Sequence, residues 1–318
     1  MTLEDIFLNA TRDKNPELLY QPIEYILMQG GKRIRPQLVM LGAELFNEDP
    51  KKALYIAASF EMLHNFTLIH DDIMDEAPIR RGKETVYKKW NSNIAILSGD
   101  ALANMALQQI LKTDTDDQTK LRIVDLFAQT SLEVCEGQQY DLNFESSSQV
   151  TITDYLMMIR LKTAVMLAGC LKSGAIFAKA SEEDQQKIYN FGIYLGIAFQ
   201  LKDDLLDIYA DHELFGKMKG MDIQDNKKTY LILRAIEDAN EADRKKLEEL
   251  FSVNQIDFKE KLTEVIRIYE KLSIREKTEE MIESYVGKAL DELNAISAEP
   301  GKKEKLKEIT VQLSKREK

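Results

Sequence analysis

Proline is missing from the whole stretch between Ile79 and Glu299; the chain's six are Pro16, Pro22, Pro36, Pro50, Pro78 and Pro300. So long a run without a helix breaker, poor in glycine and rich in Ala, Leu, Glu, Lys and Met, excludes a turn-rich β architecture and predicts helix after helix. Cysteine is scarce as well. Cys135 and Cys170 are too few for a disulfide framework, and both lie in apolar stretches, so both are expected as buried thiols in a reducing, cytoplasmic compartment. Positive charge is in deficit: 43 Lys and Arg stand against 54 Asp and Glu, a net charge of -11, which argues against nucleic acid as a partner. No apolar run approaches the ~18 residues of a membrane span. The opening MTLEDIFLNATRDKN puts acids where a signal peptide needs basic residues, so a soluble protein with no membrane span is expected.

What is present is globular in character, with 44% hydrophobic and 31% charged residues. Leu102, Met105, Ala106 and Gln109 keep helical spacing, and Leu121, Val124, Asp125, Ala128 and Leu132 continue the period, which supports helix in both stretches. The best strand candidate is VTITDYL at 150–156, and its Thr-Asp reads equally well as a helix start. Loops are expected at TDTDDQ (113–118), NFESSSQ (143–149) and ADHELFGKMKGMD (210–222), and no Gly/Ser/Pro linker divides the chain. The expectation is all-α, one helical domain over 1–318. From Glu237 onward charge is denser, with apolar residues at helical spacing, as on helices with one solvated face.

One five-residue pattern occurs twice. Asp71, Asp72 and Asp75 in IHDDIMDE share their spacing with Asp203, Asp204 and Asp207 in LKDDLLDI. On a helix, i and i+4 share a face, so Asp71 with Asp75, and Asp203 with Asp207, each present paired carboxylates that repel unless a cation is bound. Hard oxygen donors in this number suit Mg²⁺, which usually shares its shell with substrate phosphates. Diphosphate bound in that way still needs protein cations. GGKRIRP at 30–36 supplies Lys32, Arg33 and Arg35 beside two glycines. Arg80 and Arg81 follow the first acidic motif, and Lys162 with Thr163, Lys217 and Lys227-Lys228-Thr229 complete the set.

GGKRIRP, LIHDDIMDEAPIRRG, NIAILSGDAL, GQQYDL, RLKTAVM, FQLKDDLLD and KMKGMDIQDNKKTY stand in this order between Gly30 and Leu231. In sequence and separation they closely resemble the trans-isoprenyl diphosphate synthases, the polyprenyl synthetase family. One departure is visible: where that family usually reads Gly-Lys-x-Thr, this chain has Asn226-Lys227-Lys228-Thr229. The resemblance implies a helical bundle around a deep central cavity, a homodimer, and condensation of isopentenyl diphosphate with an allylic diphosphate. It implies that Asp71, Asp75 and Asp203 hold Mg²⁺ bridging the allylic diphosphate, with Asp72, Asp204 and Asp207 ligating directly or through water, and about three ions per loaded site. Arg80, Lys162, Lys217 and Lys227 match contacts to the allylic diphosphate. Lys32, Arg35, His64 and Arg81 match contacts to isopentenyl diphosphate, while Gln200, and Gln138 with Asp141, match polar lining. Of the other histidines, His70 adjoins the first motif and His212 lies in a polar loop.

In that family the residues four and five before the first Asp form the floor for the growing chain; here they are Thr67 and Phe66. A large Phe66, with no insertion in the first motif, resembles a geranylgeranyl (C20) synthase first, a farnesyl (C15) synthase next and longer-chain enzymes after these. On a helical wheel Thr67 lies about 40° from Asp71 but Phe66 about 140° away, so the role of Phe66 rests on the resemblance. A terpene cyclase would need no second diphosphate site, a non-catalytic synthase subunit typically loses an Asp motif, and an acidic scaffold protein would release no diphosphate.

Overall fold

A computed structural model of the chain describes residues 1–147, 149–210, 220–252 and 257–314. The described residues are all-α, apart from one small antiparallel hairpin of β1 (Ile79–Arg80) and β2 (Lys83–Glu84). They cluster into two compact units. The first comprises Met1–Ser131, Gly169–Tyr189 and Ser297–Lys302, and the second the described residues of Leu132–Ala168, Asn190–Ile296 and Lys303–Lys318.

The first unit carries α1 (Leu3–Thr11), α2 (Glu17–Leu27), α3 (Ile34–Leu45), α4 (Leu54–Met74), α5 (Val86–Lys89) and α6 (Ser92–Leu111), with parts of α7 (Asp117–Ser146), α9 (Val165–Phe177) and α10 (Glu182–Tyr209). Helix α4 packs along α6, with α3 beside α4 and α2 on α6. Leu102, Met105, Ala106 and Gln109, whose spacing predicts the helix, are all buried on it. Each fully buried aliphatic side chain in such a layer is worth about 1.5–3 kcal/mol. By length and composition α6 could cross a membrane, contrary to the expectation that no run comes close; Ser92–Leu111 reads this way because apolar residues also occupy its outer side, where Leu97 is exposed.

Where α3 meets α9, main chain lies on main chain. A Cβ on Gly42 would stand 2.3 Å from the Leu171 carbonyl oxygen, and one on Gly174 would stand 2.2 Å from that of Val39. The helix expected from the spacing of 121–132 is present as α7, but those residues mark its outer side: Leu121, Asp125, Ala128 and Leu132 are exposed and Val124 half-buried, while Ile123, Phe127, Thr130 and Val134 are buried. Cys135 shares that outer side and is exposed, so only Cys170 is the buried thiol expected of both.

The second unit carries α8 (Ile152–Ile159), a wide π turn at Arg160–Ala164, the rest of α7, α9 and α10, and then α11 (Met221–Gln224), α12 (Tyr230–Asp238), α13 (Glu241–Ser252), α14 (Phe258–Lys271), α15 (Ile274–Ala295) and α16 (Pro300–Ser314), the last begun in the first unit. VTITDYL is a helix start. Thr151 and Asp154 form a reciprocal capping box that satisfies the first amides of α8. The NFESSSQ loop is shorter than expected, because α7 continues to Ser146. The charged C-terminal helices bury one face each, through Leu247, Leu250 and Phe251 on α13, Val265, Ile268 and Tyr269 on α14, and Ile282, Ala289 and Leu293 on α15.

Candidate active site

The candidate residues fall into two sets, one in each unit. In the first unit the chain enters α3 through left-handed backbone at Gly30, Gly31 and Arg33. Gly31 is required: with φ at 127°, it also leaves room for the Arg81 guanidinium, whose Nη atoms would stand 3.2 Å from a Cβ there. Arg81 donates to the Gly30 carbonyl. Arg33 turns the other way, onto the buried carboxylate of Glu61 at 2.6 Å. Arg35, Arg81, Arg80 and Arg33 all act on His64, and together with burial, the larger cause, they hold its imidazole well below the ordinary range. His64 is therefore neutral at neutral pH, a hydrogen-bonding group set among fixed cations. Lys32, next to Arg33 in the chain, is exposed.

Asp71 and Asp75 stand one turn apart near the end of α4, half-buried and exposed respectively; the Asp75 amide closes the helix onto the Asp71 carbonyl at 2.8 Å. Asp72 is turned inward and is 1% exposed. Arg80 binds one of its oxygens through Nε at 2.8 Å and Nη2 at 2.7 Å, and the other, Oδ2, has no hydrogen-bond partner among the described residues. Burial raises the Asp72 carboxyl and Arg80 opposes it. Phe66 packs edge-on against His70, ring centroids 4.8 Å apart, and His70 Nε2 lies 3.3 Å from the Ile96 carbonyl on α6. Thr67 instead bonds back to the His64 carbonyl at 2.8 Å.

In the second unit Asp203 is half-buried and Asp204 buried. Asp204 accepts from the Tyr155 hydroxyl and from Gln200 Nε2 at 2.9 Å, and Thr163 donates to Gln200 Oε1 at 3.0 Å. Burial, then the neighbouring Asp222, pushes the Asp204 carboxyl up to about 8. Asp207 takes the backbone amides of Met221 and Asp222 at 3.2 and 3.1 Å, capping α11. Asp222 is itself pushed up to about 6 by burial and by Asp207, against the pull of Lys227, whose Nζ is 3.9 Å away. Lys162, on the π turn, pairs with Asp141 at 2.5 Å, and Gln138 lies buried on the same helix as Asp141. Lys217 and His212 lie outside the described residues. Sequence reasoning missed Glu61, Tyr155 and Asp222; only Asp222 had a signal, its place inside KMKGMDIQDNKKTY.

Among the described residues no three His, Cys, Asp or Glu side chains gather closely enough to cage an ion alone. The donors nonetheless suit Mg²⁺. They are hard carboxylate oxygens, and in the second unit burial first, then the neighbouring carboxylates, holds Asp204 and Asp222 above the ordinary carboxylate range.

Residues 16–269 match the sequence model of the polyprenyl synthetase family. The chain belongs to that family. Among its relatives, a geranylgeranyl diphosphate synthase of Methanosarcina mazei is 40% identical over 73% of this chain and 71% of its own length. A short chain isoprenyl diphosphate synthase of Methanothermobacter thermautotrophicus is 35% identical over 89% of this chain and 86% of its own. The crystal structure of a geranylgeranyl pyrophosphate synthase, 42% identical, superposes with a TM-score of 0.92 over 99% of both chains. This polyprenyl synthetase therefore has the all-helical isoprenoid synthase fold and is a prenyltransferase.

Proposed function

We propose that the chain condenses isopentenyl diphosphate head to tail with an allylic diphosphate, making geranylgeranyl diphosphate (C20), with farnesyl diphosphate (C15) the alternative product. The observation that carries this reading is the glycine turn at Gly30 and Gly31 that seats the Arg81 guanidinium, with Arg81 and Arg35 both acting on His64: a second set of cations, as an enzyme joining two diphosphates needs. Bound Mg²⁺, held by Asp71, Asp75 and Asp203, would offset the charge of the allylic diphosphate. Lys162, Lys227 and Arg80 stabilise the same group as its carbon–oxygen bond breaks and negative charge moves onto the leaving oxygen. Lys32, Arg35, Arg81 and His64 fix the diphosphate that stays. The isopentenyl double bond then attacks the allylic cation, and the proton lost goes to the departed diphosphate. Apolar helix faces exclude the water that would quench the cation.

Exposed Leu97, Leu111 and Leu121 in the first unit suit a homodimer interface, and the reaction's small charged substrates suit a cytoplasmic enzyme without a membrane span. Purified protein given Mg²⁺, dimethylallyl diphosphate and isopentenyl diphosphate should yield C20 product on chromatography; absence of any condensation product would refute the proposal. Phe66→Ala should lengthen the product without loss of total condensation. An unchanged product with lower stability would make Phe66 only the packing partner of His70. Lys32→Ala and Arg35→Ala should raise KM for isopentenyl diphosphate with kcat less affected. A raised KM for the allylic substrate instead would exchange the two subsites.

A further inference from the structure

Asn226 turns the chain out of α11 in left-handed backbone, φ 56°, just before Lys227, whose amide bonds back to the Asp222 carbonyl at 2.9 Å. Glycine adopts this conformation freely and asparagine more readily than most residues with a β-carbon, so what fixes the turn here is the contact its side chain makes. Lys261 on α14 provides it. Its Nζ lies 2.5 Å from Asn226 Oδ1 and 4.7 Å from the centre of the Phe251 ring, over which Lys228 also stands, at 5.5 Å. Lysine is seldom so enclosed, yet Lys261 is only 5% exposed. Burial and the charge of Lys228 both work against its ammonium, and Asp225 partly offsets them. A cation kept inside under these conditions, with its hydrogen bond spent on the one side chain at the turn, fixes that turn.

We propose that Lys261 is a positioning residue: through Asn226 it locks the left-handed turn that carries Lys227, and so sets affinity for the allylic diphosphate. This rests on the reading of Lys227 given under the proposed function. The bond also explains how the chain accommodates asparagine where the family usually has glycine. Phe251 completes the device by seating both Lys261 and Lys228 on one ring, so the segment is held from α13 and α14 together.

Two substitutions separate this role from a merely structural one. Lys261→Met keeps the apolar stem and removes the donor, and Asn226→Gly keeps the left-handed turn and removes the acceptor. Each should raise KM for dimethylallyl diphosphate about tenfold, the scale of one charged hydrogen bond, with KM for isopentenyl diphosphate unchanged. The double variant should be no worse than the poorer single one, because both remove the same bond. Unchanged constants, an equal rise in both KM values, or additive effects would overturn the proposal. If Lys261→Met does not fold, Asn226→Gly alone decides by the same two KM values. If the wild-type protein makes no condensation product, the reading of its activity fails separately. Calorimetry with inorganic pyrophosphate and Mg²⁺ then decides the positioning role: about tenfold weaker binding in Asn226→Gly supports it, and unchanged binding rejects it.

Discussion

On α4 the middle carboxylate of the acidic motif, Asp72, is buried against a guanidinium, whereas on α10 its counterpart Asp204 is buried against a phenol and an amide. Five residues with identical spacing thus acquire different electrostatics from what packs behind them. In the first unit Arg80 opposes the burial of Asp72 and supports its charge. In the second unit the partners of Asp204 among the described residues are neutral, and burial, then Asp222, raises its carboxyl to about 8. The outer carboxylates differ too: Asp75 is exposed, while Asp207 is committed to the amides of α11. A repeated motif is therefore no guide to repeated chemistry. What the two copies share is the i, i+4 pair, and what separates them is the residue turned about 100° away.

The largest effect should erase the contrast, because the outer carboxylates of both copies are assigned to Mg²⁺. Asp71→Ala and Asp203→Ala are each expected to abolish turnover while circular dichroism shows an intact fold. Turnover within about tenfold of wild type, ~1.4 kcal/mol of barrier, would remove the residue from the metal site. Next come the partners of the middle carboxylates. Arg80→Met leaves a buried carboxylate without its cation and should cost about 1–3 kcal/mol, a range discounted because Arg80 is partly exposed. Tyr155→Phe removes one neutral donor and should cost about 1 kcal/mol. Equal losses in urea denaturation would show that the two environments are energetically alike.

Further effects concern pH, and they have opposite signs in the two units. Native Asp204 keeps its proton up to about 8 while the unfolded chain loses it near 3.8, so between those values the folded state binds more protons and stability falls as pH rises. Asp204→Asn should flatten that slope. His64 is depressed below 6.5, so the unfolded state binds the extra proton and stability falls as pH drops through and below that value. His64→Gln should remove this second slope. Thermal melts from pH 5 to 8 read both, and a change of the same sign in the two variants would contradict the assignment.

Helix order, the paired motifs and the helical spacing on α6 were legible because they are local: a period of 3.6 and a spacing of four leave their mark on neighbouring letters. The faces of α7 were not. Leu121 and Leu132 keep the same period as Ile123, Phe127 and Val134, and periodicity cannot say which of two apolar stripes meets the core. The inward turn of Asp72 follows from the geometry of a helix, but its partner Arg80 sits on the hairpin after it. Tyr155 is 49 residues from Asp204 and Lys261 is 35 from Asn226, and nothing in the letters joins them. Glu61, the anchor of Arg33, is separated from it by 28.

The crossing of α3 and α9 at Gly42 and Gly174 bears on what the lineage of this protein can explore. A side chain at either position meets a main-chain carbonyl, which no second substitution can trim away, so neither clash has a compensating mutation. Libraries randomised along both helices should return glycine at these two sites whatever product is selected. Variation in substrate preference must then arise elsewhere, while the helix that bears Arg35 keeps its depth.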